Sequence, residues 1–428
     1  LRALNVQLGG NLGIKVSKAL IAPRLGAVYR INDATVFRTG YGITYNPLPF
    51  SRPLRGFYPL TLAADYFATD PYGWVTTFEQ GIPDINGPDL SQGVLSLPNE
   101  YLMRTPMADV SRSRIHSWNL AVERRLPYDL AVDVAYVGTA KNGGFADINA
   151  NSSDVPGGGA ASQPFFNTLG RTNDVLLWGP ITKSRYHSLQ VAINRPFTNG
   201  LLLKGAYTLS RAKNETDDDG WAGLAWNAPS LRSRNYALAG YDRPHMFQMA
   251  FLYELPYKTK GGSGNKAARA VLGDWQINGI YSAVSGTPFT IVADGAGLNM
   301  PGGNQQTANL NGTYKVVGKH GDDGFYFDPA PFSQPTGTSL GNTGRNQFRG
   351  PGYWNVDFSL FRAFPFAATS KRAEFRVEFF NLFNHPRWGN PDSNVNSGTF
   401  GRTFDVGNNS RDFGSGERQI RLGLRFQF

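Results

Sequence analysis

The sequence predicts an all-β fold, an antiparallel β-barrel that crosses a membrane with strands, and three observations carry that prediction. Apolar and polar residues alternate with period two over many segments, while apolar residues spaced i, i+3, i+4 and i+7 are nearly absent. The alternating segments run close to the roughly 9 to 11 residues that a tilted strand needs to cross a bilayer, longer than most soluble strands. The connections between them are short and long by turns, as expected where one end of a barrel carries turns and the other carries loops.

Eleven strands follow in order, at 22–31, 35–45, 115–126, 130–138, 186–195, 201–211, 245–255, 275–285, 353–363, 373–383 and 418–428. In the third and fourth, Trp118, Leu120 and Val122 oppose Asn119 and Glu123, and Leu130, Val132, Val134 and Tyr136 oppose Asp133. In the fifth and sixth, Leu189, Val191 and Ile193 oppose Gln190 and Asn194, and Leu201, Leu203, Tyr207 and Leu209 oppose Lys204, Thr208 and Ser210. The seventh sets Phe247, Met249, Phe251 and Tyr253 against Gln248 and Glu254, and the ninth sets Trp354, Val356, Phe358 and Leu360 against Asn355, Asp357 and Ser359. The tenth sets Phe375, Val377 and Phe379 against Glu374, Arg376 and Glu378. The last is the clearest: Ile420, Leu422, Leu424, Phe426 and Phe428 fall on one face, and Gln419, Arg421, Gly423, Arg425 and Gln427 on the other.

The short connections are 32–34, 127–129, 196–200 and 364–372, and the long ones are 46–114, 139–185, 212–244, 291–352 and 384–417. The long ones read as structureless external loops, which compact soluble domains seldom carry at such length. One irregular turn, 256–274, reads as a flexible excursion on the short-turn side, rich in Gly, Ser and Lys. The whole chain reads as one partial barrel domain, 1–428.

Composition narrows the function classes. With 41% apolar residues and only 17% charged, the 428-residue chain can bury too much surface to be a disordered tail. Zero cysteines exclude disulfide frameworks, thiolate metal sites and cysteine nucleophiles. The least charged stretch of helical length, 275–293, is broken by Gln276, Asn278, Gly279, Ser282, Gly286 and Pro288, so no membrane helix is expected. The chain opens on Leu1 without a leader pattern, which reads as a fragment or a processed product.

Alternation alone does not separate a lipid-facing barrel from a soluble sandwich. Aromatic residues near strand ends (Tyr29, Tyr45, Trp118, Tyr136, Trp275, Trp354, Phe428) favour lipid, where such rings anchor at the two interfaces. Charges at mid-strand on the opposite face also favour it, because they need a wet lumen. Arg24, Arg38, Lys204, Arg376, Arg421 and Arg425 are the expected lumen-facing cations, beside the acids Asp133 and Glu378.

The hairpins at 22–47, 116–138 and 186–212, and the segments 240–256, 345–366 (RNQFRGPGYWNVDFSLFRAFPF) and 375–391 (FRVEFFNLFNHPRWGNP), resemble in order and spacing the C-terminal barrel of Oar-like TonB-dependent transporters. The closing RLGLRFQF is similar to the terminal strand by which outer-membrane proteins are recognised for assembly, which makes Leu424, Phe426 and Phe428 the expected assembly signal. The resemblance spans nearly the whole chain. It implies a bacterial outer-membrane location and a 22-strand barrel preceded by a carboxypeptidase-regulatory-like domain, a plug and a TonB-binding segment. None of these preceding parts is in the sequence, and the strand count is about half. The expectation is therefore the C-terminal half of such a transporter, partnered by outer-membrane lipid and the barrel-assembly machinery, by TonB through parts outside this chain, and by a bulky solute of unknown identity.

Chemistry was sought and found wanting. His116, His187, His245, His320 and His385 never pair at ligand spacing, and no HExxH occurs. Gly261, Gly262, Ser263 and Gly264 miss a nucleophile elbow because Asn265 follows, and Gly344 is followed by Arg345 and Asn346 where a phosphate loop needs Lys and a hydroxyl. No enzyme activity and no cofactor is expected. Asp217, Asp218 and Asp219 could gather oxygens around calcium, but they lack the alternating spacing and distal glutamate of a calcium loop, so a solvated acidic loop is the favoured reading. Phe57, Tyr58, Tyr66, Tyr72 and Trp74 could stack on a solute or form the core of their own loop. The net charge of +10 is dispersed, without the dense patch or fold signature of a nucleic-acid binder. The leading reading is an outer-membrane transport barrel, and the rival is an extracellular all-β binding or adhesive protein.

Overall fold

The computed structural model describes residues 17, 19–47, 73–81, 99, 103–217, 223–256, 273–365, 372–404 and 416–428. Eleven long strands form one antiparallel path in chain order: β1 (Arg24–Asn32), β2 (Thr35–Tyr45), β3 (Arg114–Leu126), β4 (Leu130–Asn149), β5 (Val175–Thr198), β6 (Leu201–Asn214), β7 (His245–Glu254), β8 (Trp275–Val284), β9 (Tyr353–Pro365), β10 (Arg372–Phe380) and β11 (Gln419–Gln427). Two short strands join this sheet from its side, Met103–Pro106 parallel to β5 and Ala237–Leu238 against β6. Among the described residues no pairing joins β1 to β11, so the sheet is open at both.

Each strand exists because its alternation matches the pleat, and the register keeps like faces together. Tyr41 pairs with Trp118 and Trp118 with Gly138, while Arg38 pairs with Ala121 and Glu123 with Asp133. One face is thus apolar and the other polar from β1 to β11. Hairpin chemistry fixes the short ends. Asn199 and Gly200 hold φ of 49° and 79°, the paired positive values of the tight turn that suits twisted strands. At Gly138 a side chain is impossible for a different reason, because a Cβ there would sit 2.3 Å from the Trp118 ring.

Every predicted strand is present, with two differences. β4 and β5 run far past 138 and start well before 186, pairing from Ala131↔Asn194 out to Asn149↔Leu176. Nearly half of the predicted loop 139–185 is therefore sheet, and 150–174 is the tip. The apolar alternation breaks because a bulge intervenes at 142–145, with Gly143 at φ 74° and Pro180 opposite Phe145, and bulges flip the faces.

The second difference concerns the long connections, whose described residues hold the main hydrophobic core. Phe289, Ile291, Tyr326, Phe327, Phe332, Phe348 and Phe400 are buried together, and the Phe327 ring lies 5.3 Å from Phe400, 5.6 Å from Phe332 and 5.7 Å from Tyr314. A second cluster stacks Phe145 on Trp178 at 4.7 Å beside Val110. These residues form a cap over the long-connection end of the sheet. The predicted excursion 256–274 lies, but for its ends, outside the described residues, as do residues 366–371 of the last short turn.

Candidate functional site

The polar face of the sheet is the surface on which the predicted cations stand. Arg24 opposes Gly42 on β1, Lys204 is exposed between Asn194 and Ala250, and Arg425 opposes Glu374. Three others are engaged. Arg38 donates to Glu123 at 2.8 Å and to Asp133 at 2.5 Å, one cation shared by acids on β3 and β4. Arg376 donates to Glu374 and lies 4.8 Å from the Phe361 ring, and Arg421 lies 4.8 Å from the Phe380 ring. Such half-exposed pairs contribute little stability and mainly fix where charge sits on the wall.

The same face carries a cavity of about 490 Å³ where β8 to β11 meet the cap, lined by Tyr353, Asn355, Asp357, Asn381, His385 and Arg387 with Arg421 below. Arg387 covers the Tyr353 ring at 4.0 Å, and Asp357 accepts from the Asn381 N–H at 2.9 Å. Aromatic surfaces, the acids Asp357 and Glu417 and the guanidinium groups of Arg387 and Arg421 converge here.

Three arginines that the sequence reading did not single out tie the long connections to one another, and Arg345 ties them to the end of β6 as well. Arg345 donates to Asn214 Oδ1 at 3.0 Å, to the Asn235 carbonyl at 2.9 Å and to Asp217 at 2.8 Å. Arg349 donates to the buried Asp242 at 2.7 Å and to the Gly286 carbonyl at 2.7 Å. Arg234 donates to the carbonyls of Gly341 at 2.9 Å and Thr343 at 2.7 Å, beneath the fully buried Trp226. Their sequence neighbours give no sign of this, since each reaches a connection about a hundred residues away.

Asp217 belongs to this lock. Burial pushes its carboxyl up, but hydrogen bonds from the Asn214 side chain and the Gly240 N–H, together with the Arg345 charge, outweigh that and hold it below the usual carboxylate range. Both its oxygens thus have protein partners. Asp218 and Asp219 lie outside the described residues, and no group of metal-ligating side chains occurs among the described residues. Of the loop aromatics, Phe57, Tyr58, Tyr66 and Tyr72 lie outside the described residues, and Trp74 is 76% exposed. At the C-terminus, Leu424 pairs with Phe375, Phe426 pairs with Ala373, and Phe428 stacks on Phe426 at 6.4 Å.

A sheet with one charged face and a second face exposing Leu120, Leu189, Leu422 and Leu424 calls for two solvents. Residues 4–421 match the family described as outer membrane beta barrel domain. The chain belongs to that family. It is an outer-membrane barrel protein of bacteria and not an enzyme, and its apolar face is the one that meets lipid. No curated protein matches the sequence.

Among solved structures, the barrel chain is similar to the pyoverdine outer membrane receptor FpvA from Pseudomonas aeruginosa, with 12% identity over 95% of this chain and 36% of that one, TM-score 0.43. It is also similar to the outer membrane transporter YddB from Escherichia coli, with 8% identity over 95% and 39%, TM-score 0.43. A third is the siderophore receptor PirA from Acinetobacter baumannii, with 10% identity over 94% and 40%, TM-score 0.42. The chain spans little more than a third of the length of these structures.

Proposed function

We propose that this chain is the C-terminal half of the wall of an Oar-like TonB-dependent transporter, about eleven strands of a 22-strand barrel, admitting a bulky solute through the outer membrane. The observation that carries the reading is the open sheet itself. Its strands alternate apolar and polar faces, yet among the described residues β1 and β11 pair with no further strand, and an unpaired strand edge inside hydrocarbon leaves N–H and C=O groups without partners at several kcal/mol each. Further strands of the whole protein must close it, and a barrel that wide needs a plug. In this reading the long connections are extracellular, the short turns periplasmic, Arg24, Arg38, Lys204, Arg376, Arg421 and Arg425 face the lumen, and the 353–387 cavity lies at its mouth. Leu424, Phe426 and Phe428 serve assembly, and TonB binds through parts outside this chain.

The test places single cysteines in the full-length protein. Those at 46–114 or 291–352 should react with an impermeant thiol reagent on intact cells, and one at 127–129 should not. Equal labelling of both sets, or release of the protein by carbonate, would support an extracellular adhesive protein instead. Binding of the full-length protein to the periplasmic domain of TonB tests the energised half of the proposal, and failure to bind would reduce it to a passive barrel.

A further inference from the structure

Three of the five histidines repeat one arrangement on the lipid-facing side of the wall. The Tyr41 hydroxyl meets His116 Nδ1 at 2.8 Å, Tyr136 meets His187 Nδ1 at 2.7 Å, and Tyr207 meets His245 Nδ1 at 2.7 Å. His245 opens β7, His116 is the third residue of β3 and His187 stands midway along β5, and each tyrosine lies on the strand before its histidine. The fourth position on the line is Tyr281, which has Trp354 at the equivalent place on β9 because Tyr281 pairs with Val356.

The register shows that these pairs form a level belt. From Tyr41 the ladder leads through Trp118 to Gly138, and Tyr136 is two residues nearer the short-turn end. From Tyr136 it leads through Leu189 to Leu209, and Tyr207 is again two residues lower. From Tyr207 it leads through Phe247 to Ala283, and Tyr281 is two residues lower once more. One residue per strand, about 3.3 Å of rise against about 4.8 Å of strand spacing, is a slope of about 35°, the tilt of barrel strands. When the strands tilt, the belt is horizontal.

Directly above it, on the same outward side, stand five cations. Arg211 pairs with His187, Arg185 pairs with Lys213, and Arg114 and Lys183 both flank Asn142. All lie within about four residues, or about 13 Å along the strands, of the histidine line. Arg114, Lys183 and Arg211 are exposed, Lys183 and Lys213 converge on the Tyr236 ring at 4.8 and 5.7 Å, and Arg185 is held rigid by the Lys141 carbonyl at 2.9 Å. The nearest acids follow β6: Glu215 accepts from the Lys183 backbone N–H at 2.8 Å, and Asp217 is taken up by Arg345 at 2.8 Å. Each tyrosine hydroxyl occupies Nδ1, so the Nε2 of each imidazole is the ring nitrogen left for a further partner.

We propose that this belt and its cationic band bind the phosphorylated headgroup of an anionic glycolipid in the outer leaflet, through β3, β5 and β6. The inference rests on the outer-membrane orientation given under Proposed function. Phosphate seeks arginine forks and rigid donors, and lipid tails descend beside the apolar rows below. Rim height, sidedness and charge together match a lipid headgroup better than a soluble anion, which would gain nothing from the apolar face.

The experiment compares the full-length protein with Arg114→Gln/Arg211→Gln and, separately, His116→Phe/His187→Phe, in nanodiscs of zwitterionic phospholipid with or without lipid A. Lipid A should raise the thermal midpoint of the wild type and its retention of labelled lipid A at least fivefold above either variant, while inorganic phosphate at equal concentration has no effect. Equal retention by wild type and variants overturns the proposal, as does an equal response to free phosphate or to phosphatidylglycerol. Heat-modifiable migration of each variant certifies the fold. A protein that never inserts into nanodiscs fails the orientation reading, whereas one that inserts without selectivity fails only this inference.

Discussion

The wall and the cap are made from the same residues arranged for opposite solvents. In the wall, Leu422 is 74% and Leu424 62% exposed while Arg38 turns inward to Glu123 and Asp133; in the cap, Phe327, Ile291 and Trp226 are completely buried. The cap is folded by water expelling its rings, and the wall by backbone pairing in a medium that offers no hydrogen bonds. A mutation should therefore be felt according to which solvent its side chain meets.

The largest expected effect is in the cap. Phe327→Ala removes the ring at the centre of the aromatic cluster and should cost about 3 to 5 kcal/mol locally. Limited proteolysis should then cut 291–352 readily while the barrel keeps its heat-modifiable mobility. If the barrel were lost too, cap and wall are one cooperative unit and the comparison fails.

Next comes the wall, where position decides the sign. Leu422→Arg puts a charge against lipid and should cost about 2 to 4 kcal/mol if near the midplane. Gly423→Arg, one residue on, faces the polar side, where an added Cβ finds its nearest neighbour, Arg376, at an ordinary 3.7 Å, and should cost less. Urea midpoints of the two variants in the same detergent rank them, and the reverse order would mean that the faces are exchanged.

A smaller effect depends on pH and belongs to the cap alone. His320 stacks on Trp388 at 5.0 Å and on Tyr326 at 5.9 Å, and burial, then the nearby His385 charge, lowers its pKa. The unfolded cap takes up this proton first, so the contribution is complete above the ordinary histidine value of about 6.5 and falls as pH drops from there toward the lowered value. Protease sensitivity of 291–352 should rise between pH 7.5 and 5.5, and His320→Gln should flatten that rise. The smallest effect on folded stability is removal of Phe428, a highly exposed terminal ring that stacks on Phe426 at the edge of the described sheet. Outer-membrane levels at matched synthesis should nevertheless fall, and unchanged levels would remove its assembly role.

The same division governs what could be read in advance. The wall was legible because period two is a local signal, and β2, β6 and β11 lie within a few residues of their predicted bounds. The cap was not, because Phe289, Phe327, Phe348 and Phe400 come together over more than a hundred residues with no periodicity, and were taken for structureless loop. The outward strand extensions at 139–149 and 175–185 were hidden by Gly143, Gly144 and Pro180. Of the candidate site, the faces of Arg24, Lys204 and Arg425 followed from parity alone, but the Arg38 partners, the arginine locks and the tyrosine–histidine pairs needed the register. The histidine recurring at the first or second position of the predicted strands 115–126, 186–195 and 245–255 was the one signal that could have revealed the belt.

Because every long strand pairs with its neighbour in the chain, the search that each strand makes for its partner differs only in loop length. Closing the two-residue turn at 33–34 and closing the connection 46–113 differ by roughly five doublings of length, about 3 kcal/mol of chain entropy. Hairpins should consequently form first and be added to one another as preassembled pairs, β3 with β4, β5 with β6, β9 with β10. The slow steps are then the joins across the long connections, and the aromatic cap supplies the contacts that hold such a join once made. Weakening the cap would on this account slow maturation of the barrel without changing the barrel that results.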